Sequence, residues 1–470
     1  MEALYKLYGE IWECETIPGK WNETKVLLIF KGGNKSRKEL KNYRPISLAN
    51  TVGKIFSRLL YNRLKSGIEE AGILGEEQNG FRGNRRGEDN LYMIRELIEK
   101  YRKSGRTLFL SFLDVEKAYD KLNRRTLLIV LEKLGVPSKI RNLIRGMYLK
   151  TKARFIFGDI MTDWVPLKKG VRQGCILSPL LFNMYTEELT RRIRKEGLGV
   201  MIGENPLGTL LYADDVVLIA EEREDMQKLL DISADYGREF SLSFGVGKCG
   251  VMMINCEGDV GREFMLGRDP LNKVNRYKYL GVNLDEKGAD GAKNDRLFRA
   301  NQWWGRLCSV AKLRSNKYEV IRGIWKSIAV PSLMYGMETI PWTVGELNKM
   351  EAVQNKIGRL ALGGNKFVGT EAIRGEMGWS TFEERIMKSK LRFKIRIEKM
   401  GDNRWVERVS QCAGSSSRWM RDCSRVVEKC GLFKRWNLNW GIAMSGAWPT
   451  VVEMRPHMMR RNGGPSFQLR

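Results

Sequence analysis

Three aspartates have the type and spacing that metal-dependent chemistry requires. Asp114 directly follows the apolar segment 107–113, while Asp214 and Asp215 interrupt the apolar segment 210–219. The second pattern is typical of two strands joined by an acidic turn, and strand ends and turns can meet at one edge of a sheet. Carboxylates held that close repel one another unless a divalent cation neutralises them, and oxygen ligands favour Mg²⁺ or Mn²⁺. The alternative is ordinary turn chemistry, because aspartate also stabilises turns by local hydrogen bonding.

The scarcity of histidine restricts the remaining chemistry. The sequence has one histidine, His457, which excludes Ser-His-Asp triads, Cys-His dyads and paired-histidine zinc sites. Its eight cysteines are too sparse for a disulfide scaffold, a pattern that fits a reducing compartment. Catalysis therefore has to use carboxylates, lysines or a metal ion held by oxygen atoms.

The net charge indicates a polyanionic partner. The 470 residues include 82 Lys and Arg against 55 Asp and Glu, giving a formal charge of +27 and a pI of about 9.7. Such a field attracts phosphate, although a merely basic soluble protein is the alternative interpretation. We find neither a signal-peptide pattern nor an apolar run of the ~18 residues that a membrane span needs, so we expect a protein that is neither secreted nor membrane-bound.

The elements that must position the aspartates are predicted from the spacing of apolar residues. To about residue 285 the pattern is mixed α/β, with buried strands expected over 107–113 and over the apolar run ending at Phe30. Helical spacing predicts helices over 50–68, 88–103, 126–134 and 179–193. From 290 to 380 the pattern is helical. The region after residue 380 is richer still in Lys and Arg, with a basic helix expected over 385–400 and poor order beyond Gly431.

Short motifs along the chain resemble one enzyme family. In order, they are NYRPISL (42–48), QNGFR (78–82), FLDVEKAYD (112–120), GVRQGCILSPLLFN (170–183), YADD (212–215), FGVGK (244–248) and YLGV (279–282). They resemble the fingers and palm motifs of reverse transcriptases, in the form typical of non-LTR (LINE-type) retrotransposons. The number of motifs and their order make the resemblance specific.

The resemblance implies an α+β right-hand polymerase fold. Residues 1–106 would form the fingers and 107–286 the palm with its antiparallel sheet, so that the reverse transcriptase domain extends over roughly 10–286. Residues 287–380 would form a helical thumb, and 381–470 a basic helical C-terminal tail that is partly disordered.

The family's metal site transfers to the acidic residues. By resemblance, Asp114 and Asp214 are the main ligands of two Mg²⁺ or Mn²⁺ ions, with Asp215 supporting and the backbone carbonyl of Val115 as a further ligand. These ions activate the primer 3′-hydroxyl and stabilise the leaving pyrophosphate. Lys248 would protonate that pyrophosphate, unless it is simply a lysine in a turn.

The family's nucleotide-binding residues transfer in the same way. Tyr119 matches the aromatic steric gate that excludes a ribose 2′-hydroxyl, unless it is only a core aromatic beside a strand end. Gln173 and Gly174 would line the nucleotide pocket, with Gly174 allowing the backbone to approach the substrate closely. Lys31 and Arg44 would bind the triphosphate, although most basic surface residues only solvate.

The implied function is RNA-directed DNA polymerisation, with an RNA template, a DNA primer and dNTPs as partners. The chain begins almost inside the fingers and its tail shows no acidic nuclease cluster, so we expect the polymerase portion of a retroelement without an endonuclease domain. Two alternatives stay open: a catalytically inactive, retroelement-derived RNA-binding protein, and a group II intron maturase-like polymerase. Ile176 replaces the proline usual at its position, which favours the first of these. We expect a nuclear or cytoplasmic location, and the sequence predicts no protein partner.

Overall fold

The computed structural model describes residues 2–33, 35–256, 262–288, 290–312, 316–401, 403–414 and 417–429. The expectation of poor order beyond Gly431 lies outside the described residues. The chain divides into two compact units. The first unit comprises Met1–Asp295 and Met400–Cys412, and the second comprises Arg296–Lys399 and Ala413–Arg470.

Strands are confined to the first unit among the described residues. They are β1 (Glu23–Phe30), β2 (Tyr43–Leu48), β3 (Leu108–Asp114), β4 (Lys152–Phe157), β5 (Ile160–Met161), β6 (Val165–Pro166), β7 (Val200–Ile202), β8 (Asn205–Leu207), β9 (Thr209–Tyr212), β10 (Asp215–Ala220), β11 (Gly250–Ile254), β12 (Met265–Leu266), β13 (Asp269–Pro270), β14 (Arg276–Tyr279) and β15 (Val282–Asp285).

Helices surround these strands and form the second unit. They are α1 (Glu2–Cys14), α2 (Thr51–Glu70), α3 (Gly87–Ser104), α4 (Ala118–Lys121), α5 (Arg124–Lys133), α6 (Ser138–Tyr148), α7 (Leu177–Glu196), α8 (Arg223–Glu239), α9 (Asp290–Val310), α10 (Lys317–Ile324), α11 (Val330–Met334), α12 (Val344–Leu362), α13 (Thr370–Met377), α14 (Phe382–Glu398), α15 (Trp405–Ala413) and α16 (Arg418–Lys429). A π-helical turn, Trp325–Ala329, joins α10 to α11, and Pro331, which has no N–H to donate, follows that turn.

An antiparallel sheet in the order β11-β3-β10-β9 forms the centre of the first unit. The β3 side chains are buried from Leu108 to Leu113, because helices such as α3 and α8 pack on this sheet. A strand buried along its length reads as a continuous apolar run, which is the pattern that predicted it. Its last residue, Asp114, is the only residue of the strand that is partly exposed to solvent.

A second sheet has the order β2-β1-β4-β5, with β6 also paired to β4. The strand predicted to end at Phe30 is β1, but only part of it is buried. Val26 is 3% exposed, whereas Leu27 and Ile29 are 36% and 48% exposed. One face of β1 therefore remains open.

The predicted helices are present with small changes at their ends. The helix expected over 50–68 is α2, and the Asn50 side chain caps it by accepting hydrogen bonds from the backbone N–H groups of Val52 and Gly53. Mixed helices and an antiparallel sheet confirm the α+β class. Among the described helices, none combines the length and the apolarity that a membrane crossing requires.

The compact units differ from the predicted domain division in two places. The boundary after Asp295 lies inside α9, and α14 belongs with the second unit. Residues 400–412 return to the first unit, where Arg404 forms ion pairs with Glu76 (3.1 Å) and Asp89 (3.8 Å). Such a return depends on contacts between distant residues, which a local charge pattern cannot reveal. The division into fingers, palm, thumb and tail stays a prediction.

Candidate active site

The three aspartates meet where β3 ends and β10 begins. Antiparallel pairing places Asp114 directly opposite Asp215, and Asp215 is in turn opposite Tyr212 of β9. Ala213 and Asp214 form the two-residue turn between β9 and β10, and Ala213 has a positive φ of 59°. Two-residue hairpin turns commonly require a positive φ. Local strand pairing thus gathers all three carboxylates at one edge of the sheet.

Burial and mutual repulsion destabilise the charged forms of two of these carboxylates. Burial raises the pKa of Asp215 to about 7, and the neighbouring charges of Asp214 and Asp114 add to the effect. Burial also raises the pKa of Asp214, with Asp114 contributing. A bound cation would reverse this penalty, since it favours ionised carboxylates.

Lys248 supplies one positive charge to the cluster. Its Nζ lies 2.7 Å from Oδ2 of Asp114, and this hydrogen bond is the main reason that the pKa of Lys248 is raised. The Tyr277 hydroxyl donates to the Lys248 backbone carbonyl at 2.8 Å, which fixes the backbone beneath this side chain. The structure therefore places Lys248 against a predicted metal ligand.

The donor set at this edge fits a divalent metal ion in its chemistry. The Val115 carbonyl accepts no backbone hydrogen bond within the described part of the chain, so its oxygen is free to coordinate. No group of three His, Cys, Asp or Glu side chains is arranged around a common metal position among the described residues, and the Lys248 ammonium neutralises Asp114 instead. Three neighbouring carboxylates and a free carbonyl are all hard oxygen donors, the kind that Mg²⁺ and Mn²⁺ prefer.

Tyr119 lies beside the cluster at the first turn after β3. Its ring stacks on Phe182 with centroids 5.2 Å apart and planes 19° apart. Its hydroxyl is buried without a hydrogen-bond partner among the described residues, and burial followed by the charge of Asp214 raises the pKa of Tyr119. A fixed ring next to Asp214 with an unused hydroxyl suits contact with a ligand.

Gln173 and Gly174 lie on the loop before α7. The Gln173 side chain donates to Oδ1 of Asp120 at 3.1 Å, and its backbone carbonyl accepts from Ser47 N–H at 2.7 Å. Gly174 has a φ of +105°, and a Cβ there would come within 3.0 Å of the Ser47 carbonyl oxygen. The structure gives a second reason for this glycine, because its conformation and its approach to β2 require it; the predicted approach to the substrate stays a prediction. The φ of Ile176 is −65°, which a proline would also adopt.

Lys31 and Arg44 belong to a group of cations near the aspartates. Burial lowers the pKa of Lys31, and the charges of Lys35, Lys248, Arg44 and others nearby lower it further. Its Nζ donates to the Lys41 carbonyl at 2.7 Å. Arg44 acts electrostatically on Asp214. The structure thus brings the predicted triphosphate-binding cations to the same region as the carboxylates.

Gln78 is a site residue whose role sequence reasoning missed. Its Oε1 accepts from the backbone N–H groups of Ala213 and Gly80, both at 2.9 Å, and its Nε2 donates to the Ala213 carbonyl at 3.3 Å. The side chain is 1% exposed. A Cβ on Gly80 would lie 2.2 Å from Ala213 N, so only glycine lets this segment approach the turn. Gln78 therefore clamps the residue immediately before Asp214.

A buried amide network supports this clamp. Asn79 donates to Asn90 at 2.6 Å, and Asn90 donates to the Leu211 carbonyl at 3.2 Å. Asn183 of α7 donates to the Gly80 carbonyl at 2.7 Å. The sequence signal for this network was the pair of amide residues in the QNGFR motif, because buried amides require hydrogen-bond partners. Several of those partners are backbone atoms of the β9–β10 hairpin.

Comparison with known proteins shows one family across this site. A profile of the reverse transcriptase (RNA-dependent DNA polymerase) family matches residues 32–284. The chain is 29% identical over 297 residues to a retrovirus-related Pol polyprotein from the type-1 retrotransposable element R2 of Nasonia vitripennis, covering 61% of this chain and 28% of the relative. It is 25% identical over 409 residues to a probable RNA-directed DNA polymerase from transposon X-element of Drosophila melanogaster, covering 84% and 43%.

Further similarities are more distant. The RNA-directed DNA polymerase from mobile element jockey of Drosophila melanogaster is 23% identical over 390 residues, with 80% of this chain and 42% of the relative covered. The chain thus spans less than half the length of each of these relatives. Among solved structures, telomerase from Candida tropicalis in complex with a fragment of telomeric RNA gives a TM-score of 0.45 at 14% identity, covering 90% of this chain and 67% of that chain.

Proposed function

Because this chain belongs to the reverse transcriptase family, we propose that it is an RNA-directed DNA polymerase of the non-LTR retroelement type. In this proposal it adds dNTPs to a primer 3′-hydroxyl along an RNA template. The observation that carries the proposal is the meeting of Asp114, Asp214 and Asp215 at one strand edge, next to the cations Lys31 and Arg44. Phosphoryl transfer requires positioning and charge neutralisation, which these groups can supply without histidine or a cysteine nucleophile.

Members of this family generally use divalent metal ions, and we propose two Mg²⁺ or Mn²⁺ ions here. When bound, such ions activate the attacking hydroxyl and neutralise charge on the leaving group. Asp114 and Asp214 would hold them, with Asp215 and the Val115 carbonyl completing the set. The Lys248 ammonium would give its proton to the leaving pyrophosphate, and its contact with Asp114 supports this role.

The nucleotide would be held by residues around this edge. Lys31 and Arg44 would bind the triphosphate, Arg44 as a bidentate fork and Lys31 as a point charge. Gln173 and Gly174 would line the pocket for the sugar and base of the nucleotide. The hydrogen bonds of Gln173 to β2 and to Asp120 hold their loop in position. Tyr119 would lie beneath the sugar and reject a 2′-hydroxyl.

Primer extension tests this function directly. Purified protein is given a DNA primer on an RNA template, dNTPs and either Mg²⁺ or Mn²⁺, alongside Asp214→Asn. We expect extension by the wild type and its loss in the variant. As a control, Asp269→Asn makes the same substitution at an exposed position in the two-residue strand β13, and primer extension should be unchanged.

Absence of extension with either metal, together with salt-sensitive RNA binding, would instead identify a catalytically inactive RNA-binding protein. Activity that requires a particular intron RNA would favour the maturase-like alternative.

We also propose a nuclear or cytoplasmic location, because chromosomal or cytosolic nucleic acid is the substrate that this chemistry needs. Imaging of a fluorescent fusion of the full chain tests this location, and a signal confined to membranes or to the medium would contradict it.

A further inference from the structure

A cavity of about 630 Å³ opens on the first unit outside the candidate active site. Its floor is apolar and includes Leu127, Ile144 and Tyr148, while residues 149–152 and 166–168 form its walls. None of the three aspartates lines it. The volume falls in the range of roughly 300–1,000 Å³ that is usual for ligand pockets.

Uncompensated positive charge surrounds this cavity. Its rim carries the exposed cations Arg125, Arg145, Lys150, Lys152 and Lys168. No ion pair joins any of them to a carboxylate among the described residues, and no Asp or Glu is among the lining residues. Elsewhere in this unit arginines are paired, as Arg194 is with Glu77 at 2.8 Å. Like charges concentrated in this way repel one another, which a polyanionic ligand would relieve.

The walls of the cavity are held in place before any ligand arrives. Lys152 pairs with Pro166 across β4 and β6, and Leu167 N–H donates to the Thr151 carbonyl at 2.9 Å. Arg124, which also lines the cavity, donates from its guanidinium to the carbonyls of Tyr148 at 2.9 Å and Leu167 at 2.7 Å. Binding here therefore costs little reordering of the backbone.

We propose that this cavity binds a single-stranded segment of nucleic acid, with phosphates at the cationic rim and the sugar or base against the apolar floor. Charge complementarity favours this occupant, and a nucleic acid polymerase meets such strands outside its primer duplex. Arg124, one of the lining residues, donates to the Gly170 carbonyl at 2.8 Å, so the cavity adjoins the start of the loop 170–174 that carries Gln173. The choice of this occupant rests on the proposed function, whereas binding of a strand in the cavity does not require polymerisation and can be measured without it.

The test uses the full chain and a pair of charge-matched triple variants. One replaces Lys150, Lys152 and Lys168 by Glu, and the control replaces Lys195, Lys228 and Arg268, which are exposed outside the cavity, by Glu. Fluorescence anisotropy then measures the affinity of labelled single-stranded RNA and of DNA of the same sequence at several salt concentrations. Primer extension on a short duplex, with no single-stranded overhang beyond the templating bases, is measured in parallel.

We expect the cavity variant to bind single strands at least about tenfold more weakly at low salt, with the salt slope reduced by about 2, since each phosphate contact on a single strand contributes ~0.7. The control should change the slope much less, and extension on the short duplex should persist in both.

Equal losses in the two variants would show a general effect of net charge and overturn the proposal. Unchanged RNA and DNA binding, combined with loss of binding to a labelled poly-glutamate peptide, would assign the cavity to an acidic protein partner and also overturn it. If the wild type does not extend the primer, that result contradicts the proposed polymerase function but not the proposed binding of single strands in the cavity.

Discussion

Gln78 bonds to both backbone groups of Ala213, so its amide fixes the residue next to the Asp214 carboxylate. We expect Gln78→Leu to lower kcat by about ten- to a hundredfold, because small displacements of catalytic groups are costly, while the KM for dNTP stays nearly constant. Unpaired backbone groups should also lower the free energy of unfolding by about 1–3 kcal/mol. Single-turnover extension and denaturant titration measure these two effects.

A matched control for that substitution exists in the same unit. The Gln227 amide accepts from Met265 N–H at 2.9 Å and donates to the Met265 carbonyl at 2.8 Å, an equivalent clamp on β12. Gln227→Leu should cost similar stability but leave kcat unchanged. If both substitutions lower kcat equally, Gln78 acts only through stability and does not position the turn.

Tyr119 offers a second test at the level of one side chain. Replacing it with alanine removes the ring stacked on Phe182, so we expect incorporation of ribonucleotides relative to deoxynucleotides to rise by at least about tenfold. Tyr119→Phe keeps the ring and loses only the buried hydroxyl, and discrimination should be retained. Competition between labelled rNTP and dNTP in primer extension gives the ratio, and an unchanged ratio in the alanine variant would reduce Tyr119 to a core residue.

Among the elements, the loop that carries Gln173 depends on one arginine at the start of α5. Arg124 donates to the carbonyls of Gly170 (2.8 Å), Tyr148 (2.9 Å), Leu167 (2.7 Å) and Lys169 (3.1 Å). A lysine cannot reproduce this planar set of donors.

We therefore expect Arg124→Lys to loosen this loop, raising the KM for dNTP on a short duplex and lowering the free energy of unfolding by about 2 kcal/mol or more, since each lost bond costs ~0.5–1.5 kcal/mol. Steady-state kinetics and denaturant titration are the measurements. Arg125→Lys, at the neighbouring exposed position, should change neither quantity. Unaltered kinetics for Arg124→Lys would show that the loop is held by its other contacts.

In the whole molecule, two tryptophans of the predicted tail serve different units. Trp405 is buried in the first unit and Trp419 is fully buried in the second. Trp405→Ala should cost the first unit about 3–5 kcal/mol, because it removes a buried aromatic from its core. Hydrogen exchange of the β3 amides reports on that unit, and we expect faster exchange in Trp405→Ala than in Trp419→Ala. Equal exchange would contradict the assignment of residues 400–412 to the first unit.

The sequence by itself determined the elements and the types of group at the site. The spacing of apolar residues is a local property of the sequence, so it located β3, α2 and the hairpin around Asp214. The order of the motifs identified the family. The single histidine restricted catalysis to carboxylates, lysines or a metal ion held by oxygen atoms, and the high positive charge favoured a polyanionic partner. The pairing of Asp114 with Asp215 could also be anticipated, because a strand end and a hairpin turn naturally meet at one edge of a sheet.

Only the tertiary structure decided the contacts that hold this site in place. The Gln78 clamp on Ala213, the Lys248–Asp114 ion pair and the approach of Gly174 to Ser47 each join residues more than a hundred positions apart. The return of residues 400–412 to the first unit is of the same kind. Such contacts depend on side-chain geometry between distant segments, and neither residue type nor periodicity encodes a partner at that range.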